Sequence, residues 1–377
     1  MSPVVQLLRE LIAIPSVNPD GAPASEFTGE KRMAERLAQF LQSIGAEAVL
    51  EEVLPDRPNV IGRFPTTGGS HSGKPKILFA PHLDTVTIDG MTVDPFGGEM
   101  RDGRIYGRGA CDTKGTMAAM LIALQEIGDR LPDLNVEVHF AAFMGEETAQ
   151  PGSRHFAKHH AIYDFALIGE PTECDIVYTT KGNLWAKLTT SGVAVHSAAP
   201  HLGENAIVKM ARVVDVLYNQ FRPEVESEAF AHPVLGTSTT SIGIIRGGSR
   251  TNIVPDHCEL QIDMRITPAL YEYGAEKLLR ETLAESEDLD VELQVLSGAA
   301  PMDNDPEDPF IVKLAAGKRK LVGAPWFCDA AYLAAVGIPA VAAGPGNISQ
   351  AHTKDEYIEI AALEEGVQFY RQFLESL

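Results

Sequence analysis

Four short apolar runs recur along this chain, and segments of helical period separate them. Ile77-Leu78-Phe79-Ala80 ends at Pro81. Val136, Val138 and Phe140 alternate, and the run is then wholly apolar through Phe143. Phe165 to Ile168 and Ile338 to Ala343 are the other two. Each is too short for a helix and too apolar for a half-exposed strand, so each reads as a strand buried on both faces. Val4 to Ile12, Glu30 to Ile44 and Ala361 to Leu374 read as helices. Thr113 to Ile127 places Met117, Met120, Leu121 and Leu124 on one helical face. Strands alternating with helices predict an α/β fold: a doubly wound, mainly parallel sheet covered on both sides.

The middle of the chain follows another rule. Lys181 to Ser191, Thr239 to Ile245, Glu259 to Ile266 and Val291 to Leu296 read as strands. Glu204 to Phe221 and Tyr271 to Glu285 read as helices. This order predicts an α+β module, an antiparallel sheet with two helices. A Pro/Asp-rich stretch, Gly298 to Pro309, marks its end. The expected division is an α/β domain in two parts, 1–177 and 297–377, with an inserted α+β domain at 178–296. A length of 377 residues suits two domains.

A formal net charge of −21 leaves no basic stripe for nucleic acid or an anionic membrane. No run of 18 apolar residues offers a membrane span. The N-terminal stretch Ser2 to Ile14 carries Arg9 and Glu10 and lacks a small-residue cleavage site, so it does not read as a signal peptide. Cys111, Cys174, Cys258 and Cys328 lie far apart. They read as buried free thiols in a reducing, cytoplasmic compartment.

The unusual polar residues fall at strand ends. His82 and Asp84 follow the first buried strand, Glu146 and Glu147 the second, and Glu170 the third. His352 lies beyond the fourth, and Asp112 stands before the Thr113 helix. Open parallel sheets bind ligands outside the carboxyl ends of their strands. Two histidines and several carboxylates converging there match a hydrolytic zinc site. One Asp shared between two metals would leave each ion three protein ligands and an open position. Gly68 to Lys74 has near P-loop spacing, but Pro75 and a strand follow it; the order is wrong for a phosphate cradle. His155 and His159 stand at helical spacing without the acid of an HExxH motif, and read as a solvated face.

His82-Leu83-Asp84-Thr85-Val86 also resembles the HxDTV motif of the zinc-dependent amidohydrolase family that includes acetylornithine deacetylase, succinyl-diaminopimelate desuccinylase, aminoacylase and glutamate carboxypeptidase. Gly107 to Gly115, Gly145-Glu146-Glu147, Gly169 to Thr172 and Gln350-Ala351-His352 resemble its later motifs, in order. The resemblance implies two zinc ions. His82, Asp112 and Glu170 would bind one; Asp112, bridging, would bind the other with Glu147 and His352. Glu146 would be the general base and Asp84 the partner that orients His82. Cys111 and Thr113 stand where many relatives have Ala and Met, and Cys111 reads as packing.

In the inserted domain, Val195 to Pro200 with Gly203 to Ile207 resembles the lid motif whose His reaches a partner subunit's site. This implies a homodimer and a catalytic role for His196. Asn252 and Arg265 match substrate-contact positions, and Lys181 matches a carboxylate-binding position of the acetylornithine deacetylase branch. The implied activity is hydrolysis of the amide bond of an N-acyl amino acid or dipeptide. The run from Ala343 to His352 favours the deacetylase branch over the desuccinylase and the carboxypeptidase. A cysteine-nucleophile amidase using Cys111 or Cys328 is the alternative chemistry, and a catalytically silent metal-binding member the alternative without catalysis.

Overall fold

Strand Lys76–Pro81 pairs in parallel with Glu137–Ala142 on one side and Phe165–Gly169 on the other, and Ala340–Ala342 extends the parallel set. All four are buried along almost their whole length, as strands with helices on both faces must be. The computed structural model describes residues 1–21, 23–67, 73–286, 289–317 and 319–377. Gly68 to Ser72 of the P-loop-like stretch lie outside them. The described chain forms two units, 1–178 with 304–322 and 328–377, and 179–303 with 323–327.

In the first unit the sheet is parallel only at its centre. The hairpin Glu47–Leu54 and Arg57–Arg63 joins Glu137–Ala142 antiparallel, and Ile176–Thr180 joins Ala340–Ala342 antiparallel. The hairpin escapes a reading by period because the Glu-Ala-Val-Leu-Glu-Glu-Val-Leu run does not alternate cleanly. Helix Lys114–Ile127 departs from expectation. Every residue from Lys114 to Leu124 is buried, so it is a central helix packed between Pro3–Ile12 and Ile360–Glu375, not an amphipathic surface helix. A small antiparallel sheet of Glu99–Arg101, Arg104–Tyr106 and Tyr357–Glu359 completes the unit.

The second unit has a four-stranded antiparallel sheet in the order Thr239–Gly247, His257–Ile266, Gly182–Ser191, Glu292–Ala299. Cys258, Leu260, Ile262, Met264 and Ile266 turn one face inward against helices Ala206–Val216 and Ala275–Glu285. The unit runs to Asp303, and the expected boundary is 296. The single helix expected over Glu204 to Phe221 ends at Val216 and continues as a π turn, Leu217–Phe221. Asn205 caps its start by accepting from the Ile207 and Val208 N–H groups. Its buried face is Ala206, Met210, Val213 and Val216, whereas Ile207 is exposed. The helix expected over Tyr271 to Glu285 is two, Pro268–Tyr273 and Ala275–Glu285, divided at Gly274, whose φ is 101°.

Candidate metal centre

The three adjacent parallel strands end level with one another. Leu83 N–H donates to Phe143 O at 2.7 Å, and Pro81 is in register with Gly169. This alignment delivers His82, the Glu146–Glu147 pair and Glu170 to one edge of the sheet. Asp112 arrives from the turn before the central helix, which is tied to the same edge by Thr113 Oγ1 donating to Gly169 O at 2.6 Å. His352 comes from the segment after Ala340–Ala342 with a φ of 62°.

Asp112 stands between two groups. Its Oδ1 is 3.0 Å from His82 Nε2; its Oδ2 is 3.4 Å from His352 Nε2, which is 2.9 Å from Glu147 Oε2. Ligand atoms of His82, Asp112 and Glu170 lie within 4.8 Å of one another, and so do those of Asp112, Glu147 and His352. Glu146 belongs to neither group; its Oε1 accepts from Gln150 Nε2 at 3.1 Å.

The Asp84 carboxylate, expected to orient His82, has its hydrogen bonds elsewhere. His82 Nδ1 is 3.0 Å from the Asp84 backbone carbonyl and 3.5 Å from its Oδ1. The Asp84 carboxylate accepts from the Glu146 N–H (2.9 Å), the Glu147 N–H (3.0 Å) and Asn18 Nδ2 (2.8 Å). It therefore pins the acidic pair by its backbone. Asn18, Gln150 and Glu356, which is bonded to the Asp112 N–H at 3.0 Å, had no motif to flag them. Nor had Asp329, a buried acid that accepts from Ser153 Oγ.

The electrostatics call for cations. Burial, then the facing Glu170, pushes the Glu146 carboxyl well up; burial, then Asp112, does the same to Glu170 and raises Glu147. Asp112 goes the other way: burial opposes ionisation, but hydrogen bonds from His352 and His82 hold it low. Hydrogen bonds to Asp112 and Glu147 carry His352 up to about 10. Glu147 Oε1 and Glu170 Oε1 are buried without a hydrogen-bond partner among the described residues. Divalent ions in the two groups would meet those oxygens and relieve the repulsion. The donor set of imidazole and carboxylate fits zinc. Cys111 and Cys328 are fully buried, and burial pushes both thiols well above their ordinary range, which disfavours them as nucleophiles.

The four candidates in the second unit form two pairs. His196 is bridged to Ile253, and Ser197 N–H donates to Asn252 O at 3.1 Å, so His196 and Asn252 are neighbours. His196 Nδ1 accepts from Ala198 N–H at 3.1 Å, which leaves the proton of the neutral ring on Nε2. Lys181 and Arg265 lie at the other end of the sheet, because Ser191 is in register with His257 and Gly182 with Ile266. Lys181 is buried with Nζ donating to Thr237 O, and Arg265 Nε is 3.0 Å from Asp263 Oδ1. Ten residues of strand, about 30 Å, separate the pairs.

Comparison with known proteins places this geometry. Residues 78–376 match the model of peptidase family M20/M25/M40. An acetylornithine deacetylase of Proteus mirabilis is 31% identical, with 99% of this chain and 96% of that protein aligned. One from Photorhabdus laumondii is also 31% identical, over 96% and 94%. An M20 family metallo-carboxypeptidase from Sulfolobus solfataricus superposes with a TM-score of 0.78 at 20% identity, covering 100% of this chain and 99% of that one. A Bacillus subtilis dinuclear metal binding peptidase of the M20 family superposes at 0.72 with 15% identity, covering 98% and 96%.

Proposed function

The chain belongs to peptidase family M20/M25/M40, metal-dependent hydrolases of amide bonds, and on that premise we propose that it is an N-acyl amino acid deacylase of the acetylornithine deacetylase type. The observation that carries the chemistry is Asp112, shared by two three-residue groups, with Glu146 part of neither. His82, Asp112 and Glu170 would hold one zinc ion; Asp112, Glu147 and His352 would hold the other. Bound there, the ions would supply polarisation of the substrate carbonyl and acidification of water. Glu146 takes the proton of the attacking water and returns it to the leaving nitrogen. Asp84 keeps Glu146 and Glu147 in place through their N–H groups.

The substrate class rests on the 31% identity to acetylornithine deacetylases over nearly the whole chain. Asn252, Arg265 and Lys181 are assigned to the substrate, and His196, with its Nε2–H, to the developing oxyanion. The separation of the two pairs argues for a homodimer: one copy of the second unit cannot turn both ends of its sheet into one small site. The edge strand Thr239–Gly247, with Ile244 and Ile245 exposed, is the surface assigned to two-fold pairing. A cytoplasmic location fits four free cysteines among the described residues, all buried.

The test is a screen of the zinc-loaded protein against N-acetyl, N-succinyl and N-formyl amino acids and dipeptides. Fastest turnover of an N-acetyl amino acid is expected. Preference for a succinyl group or a dipeptide would move the chain to the desuccinylase or peptidase branch. Turnover that survives chelation would overturn the metal reading altogether.

A further inference from the structure

Glu356 is fully buried, four residues beyond His352, and both of its carboxylate oxygens bind one loop. Oε2 accepts from Arg108 Nη1 at 2.7 Å and from the Gly109 N–H at 3.0 Å. Oε1 accepts from the Cys111 N–H at 2.9 Å and the Asp112 N–H at 3.0 Å. The segment around it is registered against the same region. Gly107 N–H donates to Glu356 O at 3.1 Å, Thr92 N–H donates to Lys354 O at 2.7 Å, and Tyr357–Glu359 pairs with Arg104–Tyr106. One buried carboxylate thus joins the segment that carries His352 to the loop that carries Asp112, 244 positions away.

We propose that Glu356 is a positioning residue that sets Asp112 and His352 relative to each other and so governs occupancy of the second metal position, that of Asp112, Glu147 and His352. The inference rests on the ligand assignment above. Two of the three ligands of that position depend on the Glu356 clamp. Only Asp112 does so in the other position, because His82 and Glu170 are carried by the ends of parallel strands. A carboxylate that accepts from four donors has no equivalent among uncharged side chains. An amide in its place turns one oxygen into a further donor and leaves two N–H groups facing it unmatched.

Metal-free wild type, Glu356→Gln and Glu356→Asp are titrated with zinc against a chromophoric chelator, and the two stepwise dissociation constants are compared. In Glu356→Gln the second ion is expected to weaken by about 10–100-fold, the range for lost support of a ligand, and the first by less, so that their ratio widens. Glu356→Asp keeps the charge but is a methylene too short to meet both pairs of donors; it should widen the ratio less, and it carries the test if the amide variant does not fold. A lowered melting temperature with the wild-type ratio, or equal weakening of both ions, overturns the proposal alone. Fewer than two ions in wild type overturns the ligand assignment and this proposal with it.

Discussion

Glu146 and Glu147 are adjacent, yet the geometry gives them different work. Glu147 Oε2 faces His352 at 2.9 Å, whereas Glu146 is held by Gln150 and lies outside both ligand groups. Glu146→Gln is therefore expected to keep its full metal content while turnover falls about 10²–10⁴-fold or more. Metal analysis and initial rates on one preparation check both halves, and near-normal turnover would remove Glu146 from the proton transfer. A second expectation follows from His352, raised to about 10 by its hydrogen bonds to Asp112 and Glu147. Without metal its imidazole is protonated at pH 7, but a ligand must be neutral. Loading at pH 7 should then release a proton from His352. Affinity should rise with pH, by up to about tenfold per unit for each proton released, and level off near pH 10. An indicator dye in weak buffer reads the release; zinc uptake without acidification would show that His352 is not displaced from its proton. His82, Glu146, Glu147 and Glu170 were legible because each follows an apolar run, where an unpaired charge stands out, and Asp112 and His352 because each lies in a motif that resembles the family's. Glu356 and Asp329 were not legible. Each is a single acid in an ordinary-looking segment, and its meaning lies in donors 244 and 176 positions away.

At the scale of elements, the acidic pair depends on how closely helix Pro151–His159 approaches the end of strand Glu137–Ala142. Gly152 makes that approach possible. A Cβ there would lie 2.4 Å from Met144 O and 2.6 Å from Met144 N and Asn59 Oδ1, so backbone would have to move. Asn59 closes the same contact, accepting from Met144 N–H at 3.0 Å and donating to Gly152 O at 3.0 Å. Gly152→Ala is expected to cost about 1–3 kcal/mol of stability, the usual penalty of overpacking. It should also lower turnover, because Met144 leads directly into Glu146 and Glu147. Chemical denaturation and initial rates test it; a stability loss with unchanged turnover would mean that the strain relaxes into the helix alone. The elements themselves were readable where period and burial agree, as in Lys76–Pro81 and His257–Ile266. They were not readable where tertiary packing overrides period. Helix Lys114–Ile127 shows a stripe in sequence, yet its small residues, Ala118, Ala119 and Ala123, are buried as deeply as its large ones. Gly274 ends one helix and starts another within what reads as one periodic segment.

At the scale of the whole molecule, the arrangement of the second unit bears on how many chains make one active site. His196 and Asn252 sit where strand Gly182–Ser191 ends, and Lys181 and Arg265 where it begins. On the proposed homodimer the two pairs come from different copies, with His196 assigned to the partner's site. That yields a quantitative expectation from two inactive proteins. A Glu146→Gln chain lacks the base but still offers His196; a His196→Ala chain has the base but lacks the donor, whose loss is worth about 2.7–4 kcal/mol. After equal mixing and free exchange, half of the dimers are mixed. In each mixed dimer the site with an intact Glu146 receives an intact His196 from the other chain, and the second site has neither. Roughly a quarter of wild-type activity should return, since an isologous dimer has two equivalent sites. Exchange is verified independently with differently tagged chains. If mixed dimers form and activity stays at the level of the two parents, His196 serves its own chain, and both ends of one sheet would have to reach the substrate by another route.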